Sequence, residues 1–188
     1  MSDISTRLDK LRTYLSDPNF IANKGLSNEV GLYIFAYHPS EEMQVRSFIN
    51  DVVAASSFPQ ASNRIILFDL YDILLHICEE RRIIDKIPQM EEQRGSEFIL
   101  KQIQKLAPPE VYVEHMKRIG HDRGDIIFIT GVGRVYPYMR SHNILNNLQH
   151  VFDDVPVVLF YPGEYTGQSL NLFEKFLDDN YYRAFNLI

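Results

Sequence analysis

Two short stretches of this chain gather residues able to do chemistry at a chain reversal. The first is Thr130-Gly131-Val132-Gly133-Arg134, followed by Tyr136 and Arg140; the second is Tyr161-Pro162-Gly163-Glu164-Tyr165. Each closes an apolar run. Glycines free the backbone for tight turns, and arginines bring fixed charge, so the first stretch suits an anion or an acidic partner at a helix start. It reads equally well as a tight turn flanked by solvated arginines. The second sets an acid beside a tyrosine, a side chain that buries a large area yet keeps a polar tip, as protein interfaces use. Arg134, Tyr136, Arg140, Glu164 and Tyr165 are therefore the candidate partner- or ligand-binding residues.

Complete catalytic sets are harder to find. A Walker-type loop needs a Gly-x-x-x-x-Gly-Lys run whose amides and lysine hold phosphate. After the first expected strand the chain instead reads Tyr37-His38-Pro39-Ser40-Glu41-Glu42, with acids where a phosphate wants amides. Gly131-x-Gly133 begins like a dinucleotide fingerprint, but Tyr136 stands at the third glycine position. The six histidines form no His-x-x-x-His pair, and His76 and Cys78 are spaced to point to different helix faces. His115 falls on an apolar stripe and reads as a core histidine, as Cys78 reads as a core thiol. His121-Asp122 would need distant partners to hold a metal. Gly167-Gln168-Ser169-Leu170-Asn171 lacks the second glycine of a serine-nucleophile elbow, and Ser169 reads as a helix start. Asp69 and Asp72 lie near the end of the second strand, where one could move a proton, although a helix cap is the simpler role for Asp72. No catalytic residue, metal ligand or cofactor is assigned.

The elements that must position these residues alternate. Helical spacing covers 3–15, a strand 30–36, a helix capped by Ser40 with apolar positions from Val45 to Val53, and a strand 65–68. Helices follow through 70–119, with a solvated, charged stretch over 79–95. Ile126–Ile129 and Val155–Tyr161 have the length of strands buried on both faces, joined by a crossover helix over 138–149. Leu170, Phe173, Phe176 and Leu177 predict a last helix, and 181–188 a short final strand. Such alternation predicts an α/β fold, a mostly parallel sheet of four or five strands flanked by helices, with nucleotide-binding-like layering but no Walker A loop. Residues 1–188 read as a single α/β domain with 70–119 as a helical insertion. In parallel sheets ligands lie outside the carboxyl ends of the strands, where both glycine-bearing turns fall.

Composition narrows the classes. The chain has 188 residues, 45% hydrophobic and 23% charged, as soluble globular domains do. A formal net charge of −6 argues against a primary nucleic-acid binder. No apolar run approaches the roughly 20 residues that span a bilayer, and the start of the chain lacks a signal-peptide pattern. The single cysteine excludes an internal disulfide and fits a reducing, cytoplasmic setting. With no tryptophan, tyrosines are the expected interface anchors; Tyr181 and Tyr182 are expected to seal the end of the sheet.

Longer strings carry a resemblance. Thr130-Gly131-Val132-Gly133-x-Val135-Tyr136-Pro137-x-x-Arg140-Ser141-His142-x-x-Leu145-Asn146-Asn147-Leu148-Gln149 is similar to the BrxB family, a component of BREX bacteriophage-exclusion systems. So are Leu159-Phe160-Tyr161-Pro162-Gly163-x-Tyr165-x-Gly167-Gln168-Ser169-Leu170 and Asp178-Asp179-Asn180-Tyr181-Tyr182-Arg183-Ala184-Phe185, with shorter echoes at Leu26-x-Asn28-Glu29-Val30, Asp69-Leu70-Tyr71 and Gly95-Ser96-Glu97. The resemblance implies a cytoplasmic phage-defence protein that works with a DNA adenine methyltransferase, a large ATPase and the phosphatase-like PglZ. It transfers no catalytic residue. The expectation is a non-catalytic assembly or adaptor subunit bound to another BREX protein, PglZ first. A cryptic nucleotide or nucleic-acid binder is the alternative, and an enzyme using Asp69 or Glu164 for proton transfer ranks last.

Overall fold

The computed structural model of the protein describes residues 3–23, 31–58, 63–148, 151–178 and 184–188. The chain divides into two compact units. One comprises Met1–Phe68, His121–Thr130 and Phe152–Ile188; the other comprises Asp69–Gly120 and Gly131–Val151. The stretch read as a helical insertion thus forms a compact unit together with 131–151.

The first unit carries the sheet. Its elements are α1 (Ile4–Tyr14), α2 (Pro18–Ile21), β1 (Leu32–Tyr37), α3 (Glu42–Ser56), β2 (Ile65–Asp69, its last residue opening the other unit), β3 (Ile126–Thr130), β4 (Val157–Tyr165), β5 (Leu170–Leu172), β6 (Phe176–Asp178) and β7 (Phe185–Asn186). The main strand order is β2-β3-β4-β1-β7. β1 is parallel to β4 and β7, and β3 is parallel to β4, with Ile34 opposite Leu159 and Ile127 opposite Val157.

The apolar runs become central strands because both sets of alternating side chains are buried. Phe35 and Tyr37, Ile126 and Phe128, and Val158 and Phe160 join one cluster with Leu8 and Leu11 of α1 and Val45, Phe48, Ile49 and Val52 of α3. The helical residues recur at the three-to-four spacing of an apolar stripe. Their strand neighbours Ile34, Ile127, Ile129 and Leu159 are equally inaccessible. Phe128 meets Phe160 edge-on at 4.9 Å between ring centroids, and Phe160 meets Phe35 at 5.7 Å. Each such ring contributes about 1.5–3 kcal/mol by leaving water.

Three expectations change here. β4 continues through Pro162 and Gly163 to Tyr165 instead of turning at them. A Cβ on Gly163 would stand 2.2 Å from the Asn171 carbonyl oxygen, so glycine is what lets β5 lie against the strand. The last helix is instead the hairpin β5–β6, antiparallel to the end of β4. Ser169 accordingly starts no helix; its amide donates to Thr166 Oγ1 at 3.0 Å. The final strand is β7, whereas Val30, Tyr181 and Tyr182 lie outside the described residues.

The second unit is helical: α4 (Leu70–Glu80), α5 (Ile87–Arg94), α6 (Ser96–Leu106), α7 (Pro109–Ile119), the single turn α8 (Val132–Val135) and α9 (Ser141–Leu148). Leu74, Ile77 and Cys78 of α4, Tyr112, Val113 and Met116 of α7, and Ile144, Leu145 and Leu148 of α9 are buried. The charged stretch resolves into the end of α4, a 3-10 turn over Ile84–Lys86, and α5, which buries none of its residues.

Candidate partner-binding surfaces

The five candidate residues fall three in the helical unit and two in the sheet unit. In the helical unit, the Gly131 turn is built around a carboxylate of the chain itself. Gly131 has φ 78°, a left-handed value that glycine adopts without strain. A Cβ there would meet Asp69 Oδ1 at 2.3 Å. Asp69 is also the N-cap of α4, accepting from the Tyr71 amide at 2.9 Å and the Asp72 amide at 3.3 Å. The cap expected at Asp72 is thus supplied by Asp69, whose backbone is extended as a cap requires.

Arg134 completes the cluster. Its Nη2 lies 2.6 Å from Asp69 Oδ2 and 3.2 Å from Asp72 Oδ1, and its guanidinium sits over the Tyr71 ring at 5.2 Å. Burial pulls the Arg134 pKa down, but the hydrogen bond and charge of Asp69, with Asp72, outweigh that and raise it. The negative group that a glycine turn with an arginine would hold is therefore supplied from within. Tyr136 is half-buried and begins a cis peptide to Pro137. Arg140 is exposed and, among the described residues, joins no ion pair. Of the three, Arg140 is the side chain left for a partner.

In the sheet unit, a cleft of about 470 Å³ opens at the carboxyl ends of β1 and β4. Glu164 is exposed on its wall. Tyr165 also lines it but is buried, its hydroxyl donating to the Ala184 carbonyl at 2.7 Å just before β7. Tyr165 thus ties down the edge strand, and Glu164 is the group offered outward. The sequence reading did not join four further residues to it: the charged Arg7, Glu41 and Glu174, and His38.

Each of these is locally fixed. Arg7 Nη2 donates to the Ala36 carbonyl, and its guanidinium covers the Phe35 ring at 4.8 Å. Burial lowers its pKa, against the charge of Glu41. His38, not Ser40, caps the turn after β1. Its Nδ1 accepts from the Ser40 amide, while its own amide donates to Glu41 Oε2 at 3.0 Å. That leaves Nε2 facing Glu174 Oε1 at 3.6 Å. Three carboxylates against one arginine and one histidine make the cleft acidic, suited to a basic group. Beside Glu174, the β6 residues Phe176 and Leu177 are 45% and 62% exposed, and Met43, near Glu41 in sequence, is 74% exposed.

Two other expectations meet structure. His115 is nearly buried, 3.3 Å from Glu80 Oε2, a core histidine with an acidic partner. His121 Nε2 lies 2.8 Å from Asp154 Oδ1 and packs edge-on against Phe152.

The family model described as BREX protein BrxB matches residues 66–187, a span that includes the Asp69–Gly131–Arg134 cluster and the Glu164 wall of the cleft. The chain belongs to the BrxB family. A BREX protein BrxB of Bacillus cereus (strain H3081.97) is 44% identical over 196 residues, covering 100% of this chain and 99% of the relative. A second BREX protein BrxB, of Escherichia coli O9:H4 (strain HS), is 27% identical over 97% of this chain and 90% of its own length. No solved structure matches the chain. Among the described residues of this BrxB-family chain, no helix is long and apolar enough to cross a membrane.

Proposed function

We propose that this BREX component serves phage defence as a non-catalytic assembly or adaptor subunit, binding another BREX protein, with the phosphatase-like PglZ the first choice. The observation that carries the reading is the acidic cleft at the carboxyl ends of β1 and β4, set beside exposed Phe176 and Leu177 of an edge strand. Apolar anchors next to like charges are what a partner with a basic, partly apolar segment would engage. Among the described strands β6 pairs with β5, and strand addition is one way a partner could engage this hairpin. A nucleotide at the Gly131 turn is the weaker reading, because Asp69 already fills that turn.

The test is co-purification of the tagged chain from cells expressing the surrounding defence operon, at low and high salt. A stoichiometric protein partner is expected at both. Leu177→Asp and Glu164→Lys should each release it while leaving the melting temperature unchanged, since both side chains are exposed. A chain that emerges alone, or with nucleic acid that leaves at high salt, would overturn the adaptor reading in favour of ligand binding.

A further inference from the structure

Within the helical unit, three side chains with metal-binding atoms converge between α4 and α7. His76 and Glu80 stand one turn apart on α4, and His115 reaches them from α7. His115 Nε2 is 3.3 Å from Glu80 Oε2, and His76 Nε2 is 3.6 Å from Glu80 Oε1. One ligand atom from each residue can be chosen so that all lie within 4.8 Å of one another. The two imidazoles meet edge to face at 5.4 Å between centroids. A tetrahedral ion with ligands at about 2.0–2.1 Å separates its ligand atoms by about 3.3 Å. The spacing of Glu80 Oε2 from His115 Nε2 is already near that value, and His76, which is exposed, can close on the same oxygen by rotation.

We propose that His76, Glu80 and His115 form a binding site for a divalent transition-metal ion, Zn²⁺ first among them. Two imidazoles and one carboxylate suit zinc and its first-row neighbours, whereas calcium and magnesium prefer all-oxygen shells. The His115 side chain is only 9% exposed and supplies the seated ligand; His76 and Glu80, at 60% and 41%, form the open side. Three protein ligands leave a fourth position to water or to an incoming donor.

The surrounding charges fit the assignment. Arg118 Nη1 lies 3.2 Å from Glu80 Oε1, so it can hold one carboxylate oxygen while the other, facing His115, takes the ion. Glu79 Oε2 lies 3.8 Å from His76 Nδ1, the nitrogen away from Glu80, where it can orient the ring. Because the ligands come from two helices, a bound ion fastens α4 to α7. This inference stands apart from the adaptor reading and survives its failure.

The experiment titrates Zn²⁺ by calorimetry, and Co²⁺ by visible absorption, into the chelator-treated full chain. One equivalent should bind, Co²⁺ should show the intense bands of a four-coordinate site, and Zn²⁺ should raise the melting temperature. His76→Ala and Glu80→Gln alter exposed side chains and should keep the fold, checked by circular dichroism, yet each weaken binding at least about tenfold. Glu79→Gln should retain one-equivalent binding. Absence of binding to the wild-type chain overturns the site, as does binding that survives both His76→Ala and Glu80→Gln.

Discussion

Reversing the charge of Arg134 separates a structural arginine from a binding one. Its guanidinium touches Asp69 and Asp72 and covers Tyr71. Exposed ion pairs contribute about 0.2–1 kcal/mol, and the Asp69 pair belongs near the top of that range because the Asp69 side chain is only 17% exposed. The arginine–ring contact adds about 0.5–1 kcal/mol. Arg134→Ala should therefore cost about 1–2 kcal/mol, after discounting for the guanidinium's own partial exposure. Arg134→Glu adds repulsion from two carboxylates, for a total of about 2–3 kcal/mol. For a chain of this size that lowers the melting temperature by about 4–12 °C. The assay is thermal unfolding by circular dichroism at low and high salt, beside Arg140→Glu, which should melt with the wild type. An Arg134→Glu protein melting within about 1 °C of wild type would refute the clasp and return Arg134 to the list of surface binding residues.

Other expected outcomes rest on separate contacts. Asp125 is buried and accepts from Arg64 Nη2 at 2.6 Å and from the Asp122 amide at 2.8 Å. Burial pushes its pKa up, but those hydrogen bonds outweigh it and hold the group below the ordinary carboxylate value. Its contribution is therefore present above about pH 4 and lost as pH falls through the lower folded-state value; Asp125→Asn should cost about 1–2 kcal/mol at pH 7 in urea unfolding, and progressively less as the pH is taken below about 4. Tyr112 Oη is buried and, among the described residues, has no hydrogen-bond partner, so Tyr112→Phe should be neutral or stabilising by up to about 1 kcal/mol, and clear destabilisation would reveal a bond. Gly163→Ala should cost about 1–3 kcal/mol by pushing β5 from β4, read as a loss of midpoint in denaturant titration. Phe173 and Glu174 both hold left-handed φ, at 54° and 58°, and Phe173→Asn should stabilise by roughly 0.5–1 kcal/mol in the same denaturant titration, a destabilised variant refuting backbone strain as the dominant effect there.

That last pair of residues also explains what the sequence concealed. Leu170, Phe173, Phe176 and Leu177 recur at helical spacing, and no Asn-Gly or Gly-Gly marks a hairpin between them. The turn is made by Phe-Glu, two residue types that disfavour its backbone, so tertiary pairing with β4 overrode the local signal. The four core strands were legible because each is a continuous apolar run, and α1 and α3 because their stripes repeat cleanly. Pro162-Gly163 looked like a turn, since the need for close approach by β5 is invisible along the chain. The cleft was half legible: Glu164 stood out beside the glycine, whereas Arg7, His38 and Glu174 come from distant stretches. The His76–Glu80 pair has one-turn spacing but lacks the second histidine that marks a metal motif along the chain, and His115 joins only through packing of α4 with α7.

The Asp69 carboxylate serves three demands at once: the first amides of α4, the Arg134 guanidinium and the bare face of Gly131. Positions 69, 131 and 134 therefore cannot drift separately as the family diverges. A side chain at 131 requires a smaller residue at 69, which unties 134 and uncaps the helix. Relatives should change these positions together or not at all, and a homologue with one of them altered should carry its compensation at the other two.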